Sequence, residues 1–238
     1  MAKILTASDS SLCVEFGSAI SEEINAQVRS FTLAVEAARL PAVVELVPTY
    51  RSVLVHYRPE VMGYARMYEQ LTRILNGLTA VELPPAGEIR VPVLYGGEFG
   101  PDLENVARLH GLGEEEVVAL HTAPEYLIYM LGFLPGFCYL GGLDPRLHTP
   151  RLTAPRTSIP AGSVGIAGAQ TGVYPLPSPG GWQLIGRTPL RLYDPHRSRP
   201  ILLDAGMRLR FYPIDRAEFD RLHRENWPEA YGEGGDKR

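Results

Sequence analysis

Lysine is almost missing from this sequence of 238 residues. Only Lys3 and Lys237 occur, one near each end, and the other 21 of the 23 basic residues are arginine. A Schiff base, a P-loop and an attached biotin each need a lysine inside the folded body. The scarcity excludes these chemistries from this chain, so any biotin or lysine that grips ATP must belong to another chain.

Cysteine and long apolar runs are also scarce. The two cysteines, Cys13 and Cys138, form no CxxC motif, which favours a reducing compartment. The first residues lack the apolar core of a signal peptide. The uncharged run 127–143 is broken by glycine and proline and is shorter than the ~20 apolar residues that span a bilayer. We therefore expect a cytoplasmic protein without a transmembrane helix.

The charge balance is mildly acidic and gives no broad positive field. Lys and Arg number 23 against 27 Asp and Glu, for a net charge of -4. Such a surface disfavours nucleic acid and anionic membranes as partners. The apolar fraction of 45 % and the charged fraction of 21 % are typical of globular proteins. The length suits one large or two small domains.

Residues 1–85 are predicted to form a small α+β sandwich domain. A strand around Leu12 is followed by a helix that Ser21 can cap, and apolar residues recur along that helix at spacings of three and four. Two β-rich runs, 43–47 and 50–57, come next and precede a second amphipathic helix. The order β, α, β, β, α indicates an antiparallel sheet with two helices on one face.

The stretch 83–87, LPPAG, is the best linker, so we place a domain boundary there. Residues 86–225 are predicted to begin with a strand and two short helices, 101–110 and 114–121. Short β-type runs follow to residue 210, separated by glycine and proline, which favours a closed or sandwiched all-β domain. Residues 226–238 are expected to be a flexible tail.

Glycine and proline are concentrated in residues 131–190. This segment of 60 residues holds 11 glycines and 9 prolines. Glycine permits positive φ angles and close backbone approach, whereas proline stiffens loops. Long, rigid, irregular loops usually carry function. The functional site is therefore expected in residues 131–190.

The charges of the same segment suit an anionic ligand. Four arginines, Arg146, Arg151, Arg156 and Arg187, stand against the single acid Asp144. Guanidinium groups bind carboxylate, carboxyphosphate or phosphate bidentately. Neutral candidates for substrate binding accompany them: Ser163, Gln170, Thr171, Tyr174, Gly180, Gly181 and Trp182. The alternative is that each arginine pairs with an acid or a backbone carbonyl elsewhere.

His148 is the only histidine of the segment, and two hypotheses apply to it. Arg146 and Arg151 nearby would lower its pKa and make it a neutral catalytic base. Alternatively, it only hydrogen-bonds its loop. The other histidines have no metal-ligand spacing, so no metal site is predicted on this chain. GxSxG, HExxH and P-loop motifs are all lacking.

Six motifs in order resemble one known family, the KipI family. They are YGGEFGPDL (95–103), LGFLPGFCYL (131–140), HTPR (148–151), PRTSIPAGSVGIAG (155–168), QTGVYP (170–175) and SPGGWQLIGRT (178–188). The family includes the B subunit of 5-oxoprolinase, a sporulation-kinase inhibitor and allophanate hydrolase subunit 1, and it is related to half of a urea carboxylase carboxyltransferase domain. The resemblance implies that the mostly β domain is a cyclophilin-like barrel.

The resemblance also implies a function and partners. The implied function is that of the B subunit of an ATP-dependent 5-oxoprolinase, which would be inactive alone. The implied partners are an A subunit of the lactam-utilisation type and a KipA-like C subunit. ATP and Mg²⁺ would act in the assembled complex, with His148, Arg151, Arg156 and Arg187 as catalytic candidates. Two alternatives stay open: an inhibitor that docks on a sensor histidine kinase, and a subunit of an allophanate or urea carboxylase-type complex. Convergence of Arg151, Arg156 and Arg187 on one pocket would favour the enzyme, whereas an exposed apolar groove on the barrel would favour the inhibitor.

Overall fold

The structure is a computed structural model that describes residues 2–78, 83 and 87–228. The chain divides into two compact units, Met1–Ala86 and Gly87–Arg238, called here the N-terminal and C-terminal units. Pro84 and Pro85 of the predicted linker, and residues 229–238 of the predicted tail, lie outside the described residues. The predicted boundary and tail therefore stay predictions.

The N-terminal unit contains one antiparallel sheet and two helices. Its elements are β1 (Lys3–Ser8), β2 (Ser11–Glu15), α1 (Glu22–Ala38), β3 (Val43–Pro48), β4 (Ser52–Tyr57) and α2 (Tyr64–Asn76). The strand order is β1-β2-β4-β3. The predicted order of elements is found from β2 onward, and β1 is an additional edge strand. Most of its side chains are exposed, so it lacks the apolar alternation that predicts a strand.

One hydrophobic core explains why these elements form. The Ser21 hydroxyl accepts a hydrogen bond from the backbone N–H of Ile24 and caps α1. Val28, Phe31 and Val35 recur at helical spacing and are buried. They join alternate residues of β2 and β4 in a single cluster, because a strand turns every second side chain to the same face.

The C-terminal unit has nine strands and three helices in its described part. Its elements are β5 (Glu88–Tyr95), α3 (Leu103–His110), α4 (Glu114–Thr122), β6 (Tyr126–Leu131), β7 (Cys138–Gly141), β8 (Arg156–Ile159), β9 (Ser163–Ala167), β10 (Gln170–Val173), β11 (Ser178–Gly180), β12 (Gln183–Arg187), β13 (Arg208–Pro213) and α5 (Arg216–Asn226). None of the helices described in either unit combines the length and hydropathy that crossing a membrane requires.

Seven of these strands close into a barrel in the order β10-β7-β6-β13-β5-β12-β9. The pairing of β5 with β13 is parallel, and the other neighbouring pairs are antiparallel. The predicted mostly β architecture is therefore a closed barrel, which fits the cyclophilin-like fold implied by the resemblance. Strands β8 and β11 pair only with each other in the described part of the chain.

Two separate cores lie in the C-terminal unit. The larger one fills the barrel and includes Val91, Ile128, Val164 and Phe211. The smaller one contains Phe137, Ile159, Ala167, Tyr174, Trp182 and Leu184. Along β9, Val164 and Ile166 belong to the first core and Ala167 to the second, so the second core lies on the outer face of the barrel wall. The segment rich in glycine and proline builds this outer layer.

Candidate functional site

A small pocket of about 290 Å³ opens beside the outer core. We call it the aromatic pocket. It is lined by Phe133, Phe137, Tyr139, Arg151, Pro155, Tyr174, Pro179, Gly180, Gly181 and Trp182. All ten residues come from the segment 131–190. Its volume is at the lower end of the ~300–1,000 Å³ typical of small-molecule sites, so a single-ring ligand suits it better than a nucleotide.

The aromatic walls are packed around one ring. Phe137 makes edge-to-face contacts with Tyr139, Tyr174 and Trp182 at centroid distances of 4.9, 5.2 and 5.5 Å. Phe133 adds a fourth contact of the same kind at 5.6 Å. Edge-to-face pairs are the favoured geometry of aromatic side chains, so this cluster holds its shape without a ligand.

The aromatic cluster packs this closely because three neighbouring positions are glycine. A Cβ atom at Gly180 would lie 2.6 Å from the Tyr174 hydroxyl. At Gly165 and Gly172, on β9 and β10, a Cβ atom would lie 3.1 Å from atoms of Trp182. The indole therefore lies directly on the barrel wall, where a larger residue would displace it.

Phe133 stands at the tip of the loop between β6 and β7. Its φ angle is 68°, and 60 % of the residue is exposed. A left-handed backbone conformation costs free energy in any residue other than glycine, and such residues cluster at functional sites. The ring of Phe133 is the most exposed part of the aromatic lining.

Arg151 provides the positive charge of the aromatic pocket. Within the described ranges, its guanidinium has no hydrogen-bonding or ion-pairing partner. Burial raises the pKa of Tyr139 and Tyr174, the latter to about 12, while the charge of Arg151 acts in the opposite direction on both. Both phenol groups are therefore neutral at physiological pH. The positive charge of Arg151 is close enough to both of them to act on their pKa values.

The backbone on both sides of Arg151 is fixed to the barrel wall. The Gln183 side-chain amide donates to the Pro150 carbonyl at 3.1 Å, and the Leu152 N–H donates to the Gly181 carbonyl at 2.7 Å. The Asn105 side chain of α3 donates to Gln183 Oε1 at 3.2 Å, which fixes the orientation of the Gln183 amide. Side chains from α3 and β12 thus hold the loop that carries Arg151.

The other three arginines of the segment lie elsewhere. Arg146 pairs bidentately with Asp144, at 3.1 and 2.8 Å. Arg156 pairs with Asp102 at 2.8 Å. The Arg187 guanidinium lies over the Phe99 ring, 5.4 Å from its centroid, and burial lowers the pKa of Arg187. Convergence of Arg151, Arg156 and Arg187 on one pocket, the observation that would favour the enzyme, is not found: Arg151 is the member of that set that lines the aromatic pocket.

Asp102 connects the pocket to α3. Its carboxylate is buried and accepts from Arg156 through one oxygen and from the Leu184 N–H, at 2.6 Å, through the other. Arg156 also approaches the Trp182 carbonyl at 3.5 Å. This arrangement fits the alternative in which an arginine serves the fold. Sequence reasoning missed Asp102, Asn105 and Gln183, although Asp102 and Gln183 occur inside the quoted motifs.

His148 is exposed and follows a short 3-10 turn, Pro145–Leu147. Its Nε2 lies 3.3 Å from the Leu143 carbonyl. The contact fits the hypothesis of a histidine that holds its own loop. The catalytic role assigned to His148 stays a prediction.

Three of the neutral candidates lie on strands of the barrel. Ser163 is fully buried on β9, and its hydroxyl has no hydrogen-bond partner in the described structure. Gln170 begins β10 and is half-buried. Thr171 is fully buried, and its hydroxyl belongs to a hydrogen-bonded chain inside the barrel. Tyr174, Gly180, Gly181 and Trp182 line the aromatic pocket.

The chain inside the barrel joins Tyr95, His121, Thr171 and Gly165. Thr171 donates its hydroxyl proton to the Gly165 carbonyl at 3.1 Å, so it accepts from His121 Nε2 at 2.8 Å. His121 Nδ1 then accepts from the Tyr95 hydroxyl, also at 2.8 Å. Burial lowers the pKa of His121 to about 3 and raises that of Tyr95 well above its usual value. Both groups are neutral and fully engaged.

A larger groove, of about 870 Å³, lies in the N-terminal unit between α1, α2 and β1. Lys3 and Tyr68 are its titratable lining residues, and the rest are apolar or neutral polar. Size alone does not make a site, because recognition needs convergent polar or charged groups. The aromatic pocket has an unpaired charge on a fixed loop and is the better candidate.

Comparison with known proteins places the chain in a family. The carboxyltransferase domain, subdomain C and D, matches residues 2–203. The 5-oxoprolinase B subunit of Bacillus subtilis (strain 168) is 42 % identical over 229 residues, covering 92 % of this chain and 95 % of that protein. The 5-oxoprolinase B subunit of Escherichia coli O157:H7 is 50 % identical over 188 residues, covering 79 % and 85 %.

A solved structure extends the likeness in fold. The K. lactis urea amidolyase superposes with a TM-score of 0.77 over 94 % of this chain and 15 % of that chain, at 20 % identity. That identity supports the shared fold alone. The resemblance predicted from the six motifs is confirmed, and the chain belongs to the family of the carboxyltransferase domain, subdomain C and D.

Proposed function

We propose that this protein is the B subunit of an ATP-dependent 5-oxoprolinase, which opens the lactam of 5-oxoproline to glutamate. The observation that carries the proposal is its likeness, over nearly the whole length, to a protein named as the B subunit of 5-oxoprolinase. The aromatic pocket supports it, because a small pocket with one arginine suits a small cyclic carboxylate. The substrate binds there in the assembled complex.

The chemistry sets what the complex must provide. A lactam resists hydrolysis because resonance stabilises its amide bond. ATP transfers a phosphoryl group to the lactam oxygen and leaves as ADP; a first water attacks the activated carbon, the ring C–N bond breaks with a proton passing to the nitrogen, and a second water hydrolyses the resulting acyl phosphate to glutamate and phosphate. This chain contributes a rigid apolar wall and a fixed positive charge, which orient the substrate and exclude water from its ring.

The residues described here do not fit a magnesium site. Across residues 2–78, 83 and 87–228, no group of three or more His, Cys, Asp or Glu side chains could hold a metal ion. We therefore assign no step of the reaction to a metal on this chain. ATP and Mg²⁺ belong to the assembled complex in this proposal, together with an A subunit of the lactam-utilisation type and a KipA-like C subunit.

The alternatives lack comparable support. In the described part of the C-terminal unit, Leu109 and Phe133 are the exposed large apolar residues, and they do not make the broad groove expected of a kinase inhibitor. The urea amidolyase likeness supports the fold alone. Kinase inhibition, an allophanate or urea carboxylase-type role and a cytoplasmic location stay predictions.

The test is reconstitution. The chain is co-expressed with its two candidate partners, the lactam-utilisation-type and the KipA-like proteins, and glutamate formation from 5-oxoproline is measured with ATP and Mg²⁺. We expect turnover by the full complex, and none by this chain alone or by the complex lacking it. Turnover of urea or allophanate in place of 5-oxoproline, or full activity without this chain, would overturn the proposal.

A further inference from the structure

The aromatic pocket places one guanidinium beside an apolar wall, on a loop held by hydrogen bonds. We propose that Arg151 binds the carboxylate of a small cyclic acid whose ring lies against the aromatic walls, and that Gln183 is the positioning residue for Arg151. The identity of that acid as 5-oxoproline rests on the proposed function. The binding geometry does not.

The charge of the pocket lining favours an anion. Of the ten lining residues, Arg151 is the one with a formal charge, and no acid is present. Aromatic cages commonly bind ammonium groups through cation–π contacts. The guanidinium of Arg151 opposes a second cation, so the pocket selects anions.

The guanidinium of Arg151 is available to a ligand. Arg146 and Arg156 are already engaged by Asp144 and Asp102, whereas Arg151 has no such partner among the described residues. Arg151 is exposed, so its charge costs little without a ligand. A planar fork of donors beside an apolar wall matches a carboxylate attached to a ring.

The loop that carries Arg151 is held in place by the surrounding structure. Two hydrogen bonds hold the residues on either side of Arg151, one from Gln183 to Pro150 and one from Leu152 to Gly181. Gly181 itself lines the pocket and directly precedes Trp182. The arginine loop and the aromatic wall are therefore both held by residues 181–183, which lowers the entropy lost on binding.

The test uses the full chain and the fluorescence of Trp182. The sequence has two tryptophans, and Trp227→Phe leaves Trp182 as the reporter. In that background, titration with 5-oxoproline should give a saturable change. Two compounds separate the parts of the ligand: pyrrolidin-2-one has the ring without the carboxylate, and L-glutamate has carboxylates without the ring. Each should bind at least tenfold more weakly.

Three variants complete the test. Arg151→Ala should weaken 5-oxoproline binding at least tenfold and leave pyrrolidin-2-one binding unchanged. Arg146→Ala, which removes an exposed arginine outside the pocket, should leave both unchanged. Gln183→Met should weaken 5-oxoproline binding about three- to tenfold without affecting pyrrolidin-2-one, an outcome that general unfolding would not produce.

The outcomes separate this inference from the proposed function. No saturable binding, or equal affinities for Arg151→Ala and Arg146→Ala, overturns the anion site even if the complex is an active 5-oxoprolinase. If the complex does not turn over 5-oxoproline but a cyclic carboxylate binds through Arg151, the proposed function fails and the anion site stands. An unchanged affinity in Gln183→Met removes the positioning role alone.

Discussion

The barrel interior and the aromatic pocket differ in whether their polar side chains have hydrogen-bonding partners. Inside the barrel, Tyr95, His121 and Thr171 satisfy one another in a closed hydrogen-bonded chain. In the pocket, the backbone around Arg151 is held, but its guanidinium is left without a partner in the described structure. An engaged polar group contributes to folding, and one held in place but unengaged is available to a ligand.

The largest expected effect lies in the barrel. His121→Ala removes a fully buried ring, leaves a cavity, strands the Tyr95 hydroxyl and removes one of the two hydrogen bonds of Thr171, so the free energy of unfolding should fall by about 3–5 kcal/mol. Urea unfolding followed by tryptophan fluorescence measures it, since both tryptophans are in the C-terminal unit. The control is His196→Ala, at an exposed histidine. A loss below about 1 kcal/mol would contradict the structural role.

The wall of the pocket should show the next effect. Asp102→Ala leaves the Arg156 guanidinium and the buried Leu184 N–H without their acceptor, so the free energy of unfolding should fall by about 2–4 kcal/mol.

Arg156→Lys should lower the melting temperature with near-normal turnover of the reconstituted complex. If Arg156→Lys instead lost activity at unchanged melting temperature, Arg156 would belong with Arg151 and the comparison would break down.

The buried histidine should also make stability depend on pH. The folded pKa of His121 is lowered to about 3, so between about pH 6.5 and 3 the unfolded state binds a proton that the folded state does not. Stability therefore falls with decreasing pH, by roughly 1.4 kcal/mol for each pH unit once the pH is well below 6.5. Unfolding at pH 7, 6 and 5 measures the slope.

His121→Gln is the control for this slope, because it keeps a polar side chain without the titration. The Arg146 side chain holds the pKa of Asp144 down at about 2. Protonation of that carboxylate therefore affects the free energy of unfolding below the pH range from 5 to 7 that is measured. An unchanged slope in His121→Gln would show that other groups cause it.

The smallest effect on stability is expected at Arg151. Arg151→Ala should change the free energy of unfolding by less than about 0.5 kcal/mol, since no described interaction is lost. The kcat/KM of the reconstituted complex should nevertheless fall about ten- to a hundredfold, as expected for the loss of a charge-assisted hydrogen bond. Arg146→Ala should alter neither quantity. A matching loss of stability in Arg151→Ala would end the contrast.

Local signals made much of the fold predictable. Ser21 followed by apolar residues at helical spacing located α1, and the predicted helix 101–110 corresponds to α3. Two elements were not predicted: the polar edge strand β1 and the helix α5. Most of β1 is exposed and α5 buries only Phe219, so neither has the periodic apolar residues from which a strand or helix is recognised.

The site could be predicted in composition but not in arrangement. The aromatic and glycine lining follows from the segment 131–190. The sequence does not indicate which arginine is available to a ligand. Asp102 and Arg156 are 54 residues apart in the sequence, and only tertiary packing brings them together. His121 likewise appeared to be one scattered histidine, since its partners Tyr95 and Thr171 lie on different strands.

The single parallel pairing of the barrel has a consequence for biosynthesis. Strand β5 opens the C-terminal unit, yet its parallel neighbour β13 is the last strand of the barrel to be made. At ~5–20 residues per second, the ribosome needs on the order of ten seconds to add the chain between them. During that interval an apolar strand has an open edge that could pair wrongly. Strand β5 therefore lacks its parallel neighbour until residues 208–213 have been made.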